Sequence, residues 1–143
     1  MSLALQEGHK ALPDCLPNPP VGAVLVNAGK VVACGHTQVP GGPHAEIMAI
    51  NAASGDLSQA ELYVTLEPCS FHGRTPSCAG AIIERGIRVV HVAMIDPDVR
   101  NAGRGLAMLR AAGVEVRLGA LADEAMRQLR PYLALPANGS SAT

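Results

Sequence analysis

The sequence has no tryptophan, two tyrosines and one phenylalanine. A surface that binds single-stranded nucleic acid by stacking bases on rings needs more of them, so that class of partner is disfavoured. An excess of one charge is missing too. Eleven Lys and Arg stand against twelve Asp and Glu, a formal balance of −1. There is then no bulk pull toward DNA, RNA or an anionic membrane. No apolar run approaches the roughly 20 residues that cross a bilayer. The first twelve residues carry Glu7, His9 and Lys10 inside their apolar pattern, unlike a secretory leader. These absences leave a cytoplasmic protein with no nucleic-acid and no membrane partner. Internal repeats, low-complexity blocks and shifts of composition are also lacking, so the 143 residues read as one domain over 1–135 and a polar tail over 136–143. What is present is a composition 48% hydrophobic, rich in Val, Ile and Leu, which excludes a disordered chain.

Periodicity predicts the following elements. A short amphipathic helix covers Ser2 to Leu12, and the proline-rich run to Pro20 interrupts it. Val21 to Val26 and Lys30 to Gly35 form strands joined by a hairpin turn at Asn27 to Gly29. A helix from His44 to Ala53 and a strand from Glu61 to Leu66 follow. After the loop from Glu67 to Pro76 a helix runs to Glu84, with Gly86 as its stop. Arg88 to Ile95 is a strand and Asp96 to Ala102 a loop. Gly103 to Ala112 is a helix, Val114 to Leu118 a strand, and Leu121 to Leu135 a last helix. Strands alternating with helices behind an opening hairpin predict an α/β fold, a three-layer α/β/α sandwich with a mixed central sheet.

Four cysteines in such a chain read as thiols, metal ligands or catalysts before they read as disulfides. Cys15 lies in the proline-rich loop, and Cys34 in an apolar strand where a small buried thiol is expected. Cys69 and Cys78 flank a polar loop and are the informative pair. With His44 they supply three ligands to Zn²⁺ and leave a fourth tetrahedral position for water. Glu46, two residues from His44 at a helix start, faces the same pocket as a carboxylate that carries protons without binding the metal. A closed structural zinc site would need a fourth protein ligand, for which Cys34 or His36 is within reach. Zinc nucleobase deaminases combine His-x-Glu with Pro-Cys-x-x-Cys. His44 to Glu46 match the first half, whereas eight residues separate Cys69 from Cys78. Glu67, just before the Pro68-Cys69 turn, is read as a cap for backbone amides. His9 and His91 are read as packed or surface residues. Arg74, inside the metal loop, and Arg104, between two glycines at a helix start, are candidates for holding an anion.

The stretches Pro17 to Val26, Gly42 to Glu46 and Leu62 to Cys78 resemble the deaminase domain of bacterial riboflavin biosynthesis, the diaminohydroxyphosphoribosylaminopyrimidine deaminases. That family has the wide cysteine spacing with a Gly-Arg/Lys-Thr-Pro insert, here Gly73 to Pro76. The segments Ala93 to Asp98 and Asn101 to Gly105 resemble its following loop. The resemblance runs from about residue 3 to residue 130. It implies a cytidine-deaminase-like fold and hydrolytic loss of an exocyclic amine from a phosphoribosylated pyrimidine. By position it makes His44, Cys69 and Cys78 the ligands of one zinc and Glu46 the proton shuttle. Asn18, His36, Arg74, Thr75, Asp96 and Asp98 fall where the family meets its substrate.

Three departures touch the substrate-holding loops and none touches the metal or the shuttle. Phe71 stands where relatives have His, with His72 one place later. Asp98-Val99 replaces Asn-Pro, and Ser77 replaces the Pro before Cys78. The reaction class is therefore expected to hold while the substrate is open. Another small heterocycle, in secondary metabolism or salvage, is the alternative, as is a non-catalytic zinc-binding partner subunit, against which Glu46 argues. Editing of tRNA or DNA is disfavoured by the wide cysteine spacing. The resemblance further implies a homodimer or homotetramer, and a reductase on another chain or on a part of the polypeptide not present in this sequence.

Overall fold

The computed structural model describes residues 1–71 and 76–133. Five helices and five strands follow one another as α1 (Ser2–His9), β1 (Gly22–Asn27), β2 (Lys30–His36), α2 (Ala45–Ala52), β3 (Ala60–Val64), α3 (Cys78–Glu84), β4 (Val89–Val92), α4 (Arg104–Ala111), β5 (Glu115–Leu118) and α5 (Ala122–Leu129). Each element expected from periodicity is present, mostly shorter than expected. Pro13 withholds a donor soon after α1, and Pro131 does so after α5, where a 3₁₀ turn over Arg130–Tyr132 follows.

The sheet order is β2-β1-β3-β4-β5. β1 is antiparallel to both neighbours, whereas β3, β4 and β5 are parallel. The sheet is therefore mixed. Alternation along the strands sends Ala23, Leu25, Leu62, Val64, Val90 and Val92 to one face. There they pack against Ala45, Ala49 and Ile50 of α2, Ile82 of α3, and Leu106 and Leu109 of α4. A second cluster joins Leu5 of α1, Leu66, Met94, and Ala125 and Leu129 of α5. Gly35 and His36 mark the two faces of β2. A Cβ on Gly35 would lie 2.3 Å from the Ala45 carbonyl oxygen, so only glycine lets α2 start this close to the sheet. His36 points the other way, to Glu7 of α1. The result is the expected three-layer sandwich.

Register brings four chain segments to one end of the sheet. Gly22 pairs with His36, Ala23 with Val64, and Val64 with Val92. The approach to β1 and the exits of β2, β3 and β4 thus meet on one rim, the carboxyl end of the parallel strands. Two threonine hydroxyls stitch that rim. Thr37 Oγ1 accepts from the Val21 amide at 3.0 Å and donates to the Pro19 carbonyl at 2.9 Å. Thr65 Oγ1 accepts from the Gly22 amide at 3.1 Å. Cys34 departs from expectation: β2 is an edge strand, and its thiol is exposed rather than buried.

Candidate metal centre and active-site cleft

Each metal-ligand candidate sits at a helix start or on a turn gripped by one. His44 is the N-cap of α2 in an extended conformation, so its ring leaves the helix rather than stacking on it. Cys78 opens α3, whose N-cap Ser77 accepts from the Gly80 amide at 3.0 Å. That bond accounts for serine at a position where relatives have proline, since either residue suits a helix N-terminus. Cys69 arrives from β3. Its sulfur accepts from the Cys78 amide at 3.2 Å, and its carbonyl accepts from the Ala79 amide at 3.0 Å.

The three donors converge. His44 Nδ1 lies 3.2 Å from Cys78 Sγ and 3.8 Å from Cys69 Sγ, and all three ligand atoms fall within 4.8 Å of one another. A tetrahedral zinc with ordinary Zn–S and Zn–N bonds places its ligand atoms roughly 3.5–3.8 Å apart. Two thiols and one imidazole are also a donor set that zinc favours. Protonation in the cluster carries the same signature. The Cys78 thiol, through its bond to the sulfur of Cys69, holds Cys69 far below the usual thiol range, and the same bond raises Cys78. The bond from Cys69 raises His44. A metal ion would replace the protons these groups share. The residues present fit zinc.

Glu46, in the first turn of α2, is 4% exposed, and burial pushes its carboxyl up to about 7. It lines a cleft of about 340 Å³ together with His44, Cys69, Asn18, Thr37 and Asp96. Asn18 comes from the approach to β1, where Cys15, fully buried, donates its thiol to the Asn18 carbonyl at 3.3 Å. Asp96 and Asp98 come from the exit of β4. Burial raises the Asp96 carboxyl, whereas hydrogen bonds from Arg100 hold Asp98 down at about 2.

Other expected site residues lie elsewhere. His36 is outside the cleft lining, and its Nδ1 meets Glu7 Oε2 at 2.7 Å. The alternation of β2 turns its ring to α1, which the sequence pattern did not convey. Cys34 and His36 therefore add no fourth ligand to the cluster. Arg74 and Thr75 lie outside the described residues, as do His72 and the whole of the expected tail over 136–143. His9 is exposed, and His91 pairs with Glu61 at 2.6 Å and stacks on Tyr63. The amides near Arg104 already hold an anion from this chain. The Glu67 carboxylate accepts from Gly103 and Leu106 at 2.9 and 3.1 Å.

Sequence reasoning missed Leu66, Arg100, Tyr132 and Leu133, all of which line the cleft. Arg100 forks onto Asp98, Nη2 to Oδ2 at 2.6 Å, and its guanidinium sits 5.2 Å from the Phe71 ring centre. Its place in the loop with Asp96 and Asp98 was the available signal.

Comparison with known proteins agrees with this geometry. Residues 1–94 match the family model described as the cytidine and deoxycytidylate deaminase zinc-binding region. The chain is 45% identical over 145 residues to the riboflavin biosynthesis protein RibD of Aquifex aeolicus, covering 94% of this chain and 41% of that protein. It is 42% identical over 133 residues to RibD of Escherichia coli K12, covering 93% and 36%. A Thermotoga maritima structure, a diaminohydroxyphosphoribosylaminopyrimidine deaminase/5-amino-6-(5-phosphoribosylamino)uracil reductase, superposes with a TM-score of 0.88 at 43% identity, covering 92% of this chain and 38% of that one. The chain thus spans about two fifths of the length of the relatives it matches. With the fold, the His-Cys-Cys cluster and a family match over residues 1–94 in agreement, the chain belongs to the zinc-binding cytidine and deoxycytidylate deaminase family.

Proposed function

We propose that this chain is a hydrolytic deaminase that removes an exocyclic amine from a phosphoribosylated diaminopyrimidine of riboflavin biosynthesis, with one Zn²⁺ held by His44, Cys69 and Cys78. The observation that carries the reading is a buried carboxylate, Glu46, beside three converging donors in a cleft of about 340 Å³. That volume suits a small heterocyclic ligand. The pathway is supported by the RibD relatives and by the activity in the Thermotoga protein's name.

When bound, the zinc supplies Lewis acidity that lowers the pKa of water toward neutrality. Glu46 does the proton work. Its carboxylate takes a proton from the attacking water and delivers it to the leaving amine. The water oxygen replaces nitrogen on the ring, and ammonia departs. Asn18 offers an amide to the polar edge of the base. Asp96 and Asp98, on the loop after β4, accept from sugar hydroxyls. Arg74 and Thr75 are assigned to the phosphate by resemblance. A homo-oligomer, a reductase on this polypeptide or another, and a reducing cytoplasm that keeps Cys69 and Cys78 free of disulfides belong to the same reading.

A second reading keeps the reaction and changes the heterocycle. It is favoured by the rim, where Arg100 engages both Asp98 and Phe71, two positions that depart from the family pattern. Ammonia release across a panel of aminopyrimidine ribosides and ribotides tests both. The first reading expects the diaminopyrimidine ribotide to give the highest kcat/KM. A preference for a different heterocycle overturns the substrate assignment, and no release from any member overturns the reaction.

A further inference from the structure

The turn that carries Cys69 is held from two sides, and only one of them is explained by the metal cluster. On the α3 side the Cys78 and Ala79 amides grip Cys69 itself. On the α4 side the grip passes through Glu67, which borders the cleft with its carboxylate bonded to backbone amides, and through Asn101, which lies outside the cleft lining. Glu67 is 3% exposed and spends both carboxylate oxygens on backbone amides. Oε1 accepts from Asp96 at 3.0 Å and from Gly103 at 2.9 Å, and Oε2 accepts from Leu106 at 3.1 Å. Asn101, fully buried, donates Nδ2 to the Pro68 carbonyl at 3.2 Å and accepts from Ser70 Oγ at 2.9 Å. Gly105 lets these parts close, because a Cβ there would lie 1.8 Å from the Pro68 oxygen.

A carboxylate buried this deeply is costly unless its acceptor sites are filled, and here three amides fill them. Two of those amides belong to the start of α4, where the helix dipole favours an anion. The third belongs to Asp96, on the substrate rim. One side chain therefore ties the residue next but one before a metal ligand to the loop that faces the substrate.

We propose that Glu67 and Asn101 are positioning residues that lock the Pro68–Ser70 turn to the Asp96–Gly103 loop, so that the metal ligand Cys69 and the substrate-facing Asp96 are held as one unit. The proposal rests on the reading of His44, Cys69 and Cys78 as the zinc ligands, but not on the identity of the substrate. Gln at position 67 keeps the shape but turns an NH₂ toward amide donors, so at least one of the three bonds is lost. Outer-shell partners of metal ligands typically contribute 10- to 100-fold in affinity or activity.

The test uses the full chain and measures zinc affinity by competition with a chromophoric chelator, alongside the thiolate-to-cobalt band of the Co²⁺-loaded protein. Glu67→Gln is expected to weaken zinc binding about 10- to 100-fold while keeping a band from two thiolates. Ser70→Ala removes only the hydroxyl on Asn101 and cannot empty the core; it is expected to weaken zinc about fivefold. Rescue is the discriminating arm: Glu67→Asp, which keeps a carboxylate, should regain part of the lost affinity. Variants that melt earlier yet bind zinc as the wild type does would reduce Glu67 and Asn101 to fold stability and overturn the proposal. If Glu67→Gln does not fold, Ser70→Ala with unchanged zinc affinity overturns it alone. Failure of all variants and of the wild type to bind zinc would instead overturn the assignment of the metal site.

Discussion

The floor and the rim of the cleft are built differently. The floor consists of His44, Glu46, Cys69 and Cys78, set at the starts of α2 and α3 or on a turn bonded to α3. Its backbone is fixed by amides that cannot move without unwinding a helix, and Glu46 and Cys78 are buried. The rim consists of Phe71, Asp98 and Arg100 on loops after β3 and β4. Phe71 is 43% exposed, and Arg100 meets Asp98 through a fork two residues apart in sequence. The family departures fall on the rim and on Ser77, whose hydroxyl caps α3, and they leave the floor residues intact. A site divided in this way can keep its reaction while the substrate changes, because the residues that differ from the family pattern sit on exposed loops or a helix cap and not among the four floor side chains.

Substitutions can break or sharpen that division. The largest effect should come from the floor. Cys78→Ala removes one of three donors in a cluster already short of a fourth protein ligand, so zinc stoichiometry measured by atomic absorption should fall well below one per chain and turnover to background. A Cys78→Ala protein that keeps its zinc and only shows a higher KM would erase the distinction between floor and rim. The rim should behave in the opposite way. Arg100→Ala frees Asp98 and uncovers Phe71, and should change KM by about three- to tenfold, since exposed charge pairs are weak. Zinc content and kcat should stay put; a loss of zinc in this variant would contradict the account.

The smallest effect is a titration. Arg100 holds Asp98 at about 2, below its ordinary 3.8, through hydrogen bonds from its guanidinium and backbone amide. A carboxyl lowered in the folded state contributes stability that is fully present above 3.8 and is lost as pH falls through about 2. Arg100→Ala should move the Asp98 midpoint, followed by carboxyl-carbon NMR, back up toward 3.8. A midpoint unmoved near 2 would show that the Arg100 guanidinium is not the cause.

The floor was legible in the sequence because each of its parts is local. His44 and Glu46 share one turn, and Pro68-Cys69 and Ser77-Cys78 announce their own backbone. The hairpin was legible for the same reason, since Asn27 to Gly29 sit between two apolar runs. The capping reading of Glu67 also matches the three amide bonds its carboxylate accepts, although the partners, from Asp96 to Leu106, could not be named. What stayed hidden depends on which strands become neighbours. Thr37 and Thr65 look like ordinary strand-end residues until register brings them to Val21 and Gly22. His36 faces α1 only because of the alternation along β2, and Cys34 is exposed only because β2 lies at the edge. Arg104 looked free to bind an anion because nothing in its own segment says that Glu67 has already filled those amides.

The central claim is that Glu46 moves protons beside a metal it does not bind. The direct test is zinc content and ammonia release measured on the same preparations of wild type and Glu46→Gln, with the diaminopyrimidine ribotide as substrate. We expect about one zinc per chain in both, and turnover lowered in the variant by at least ~10²-fold, the lower end of general acid–base contributions. A Glu46→Gln protein that retains zinc and turns over like the wild type would contradict the account, as would a fully active protein without zinc.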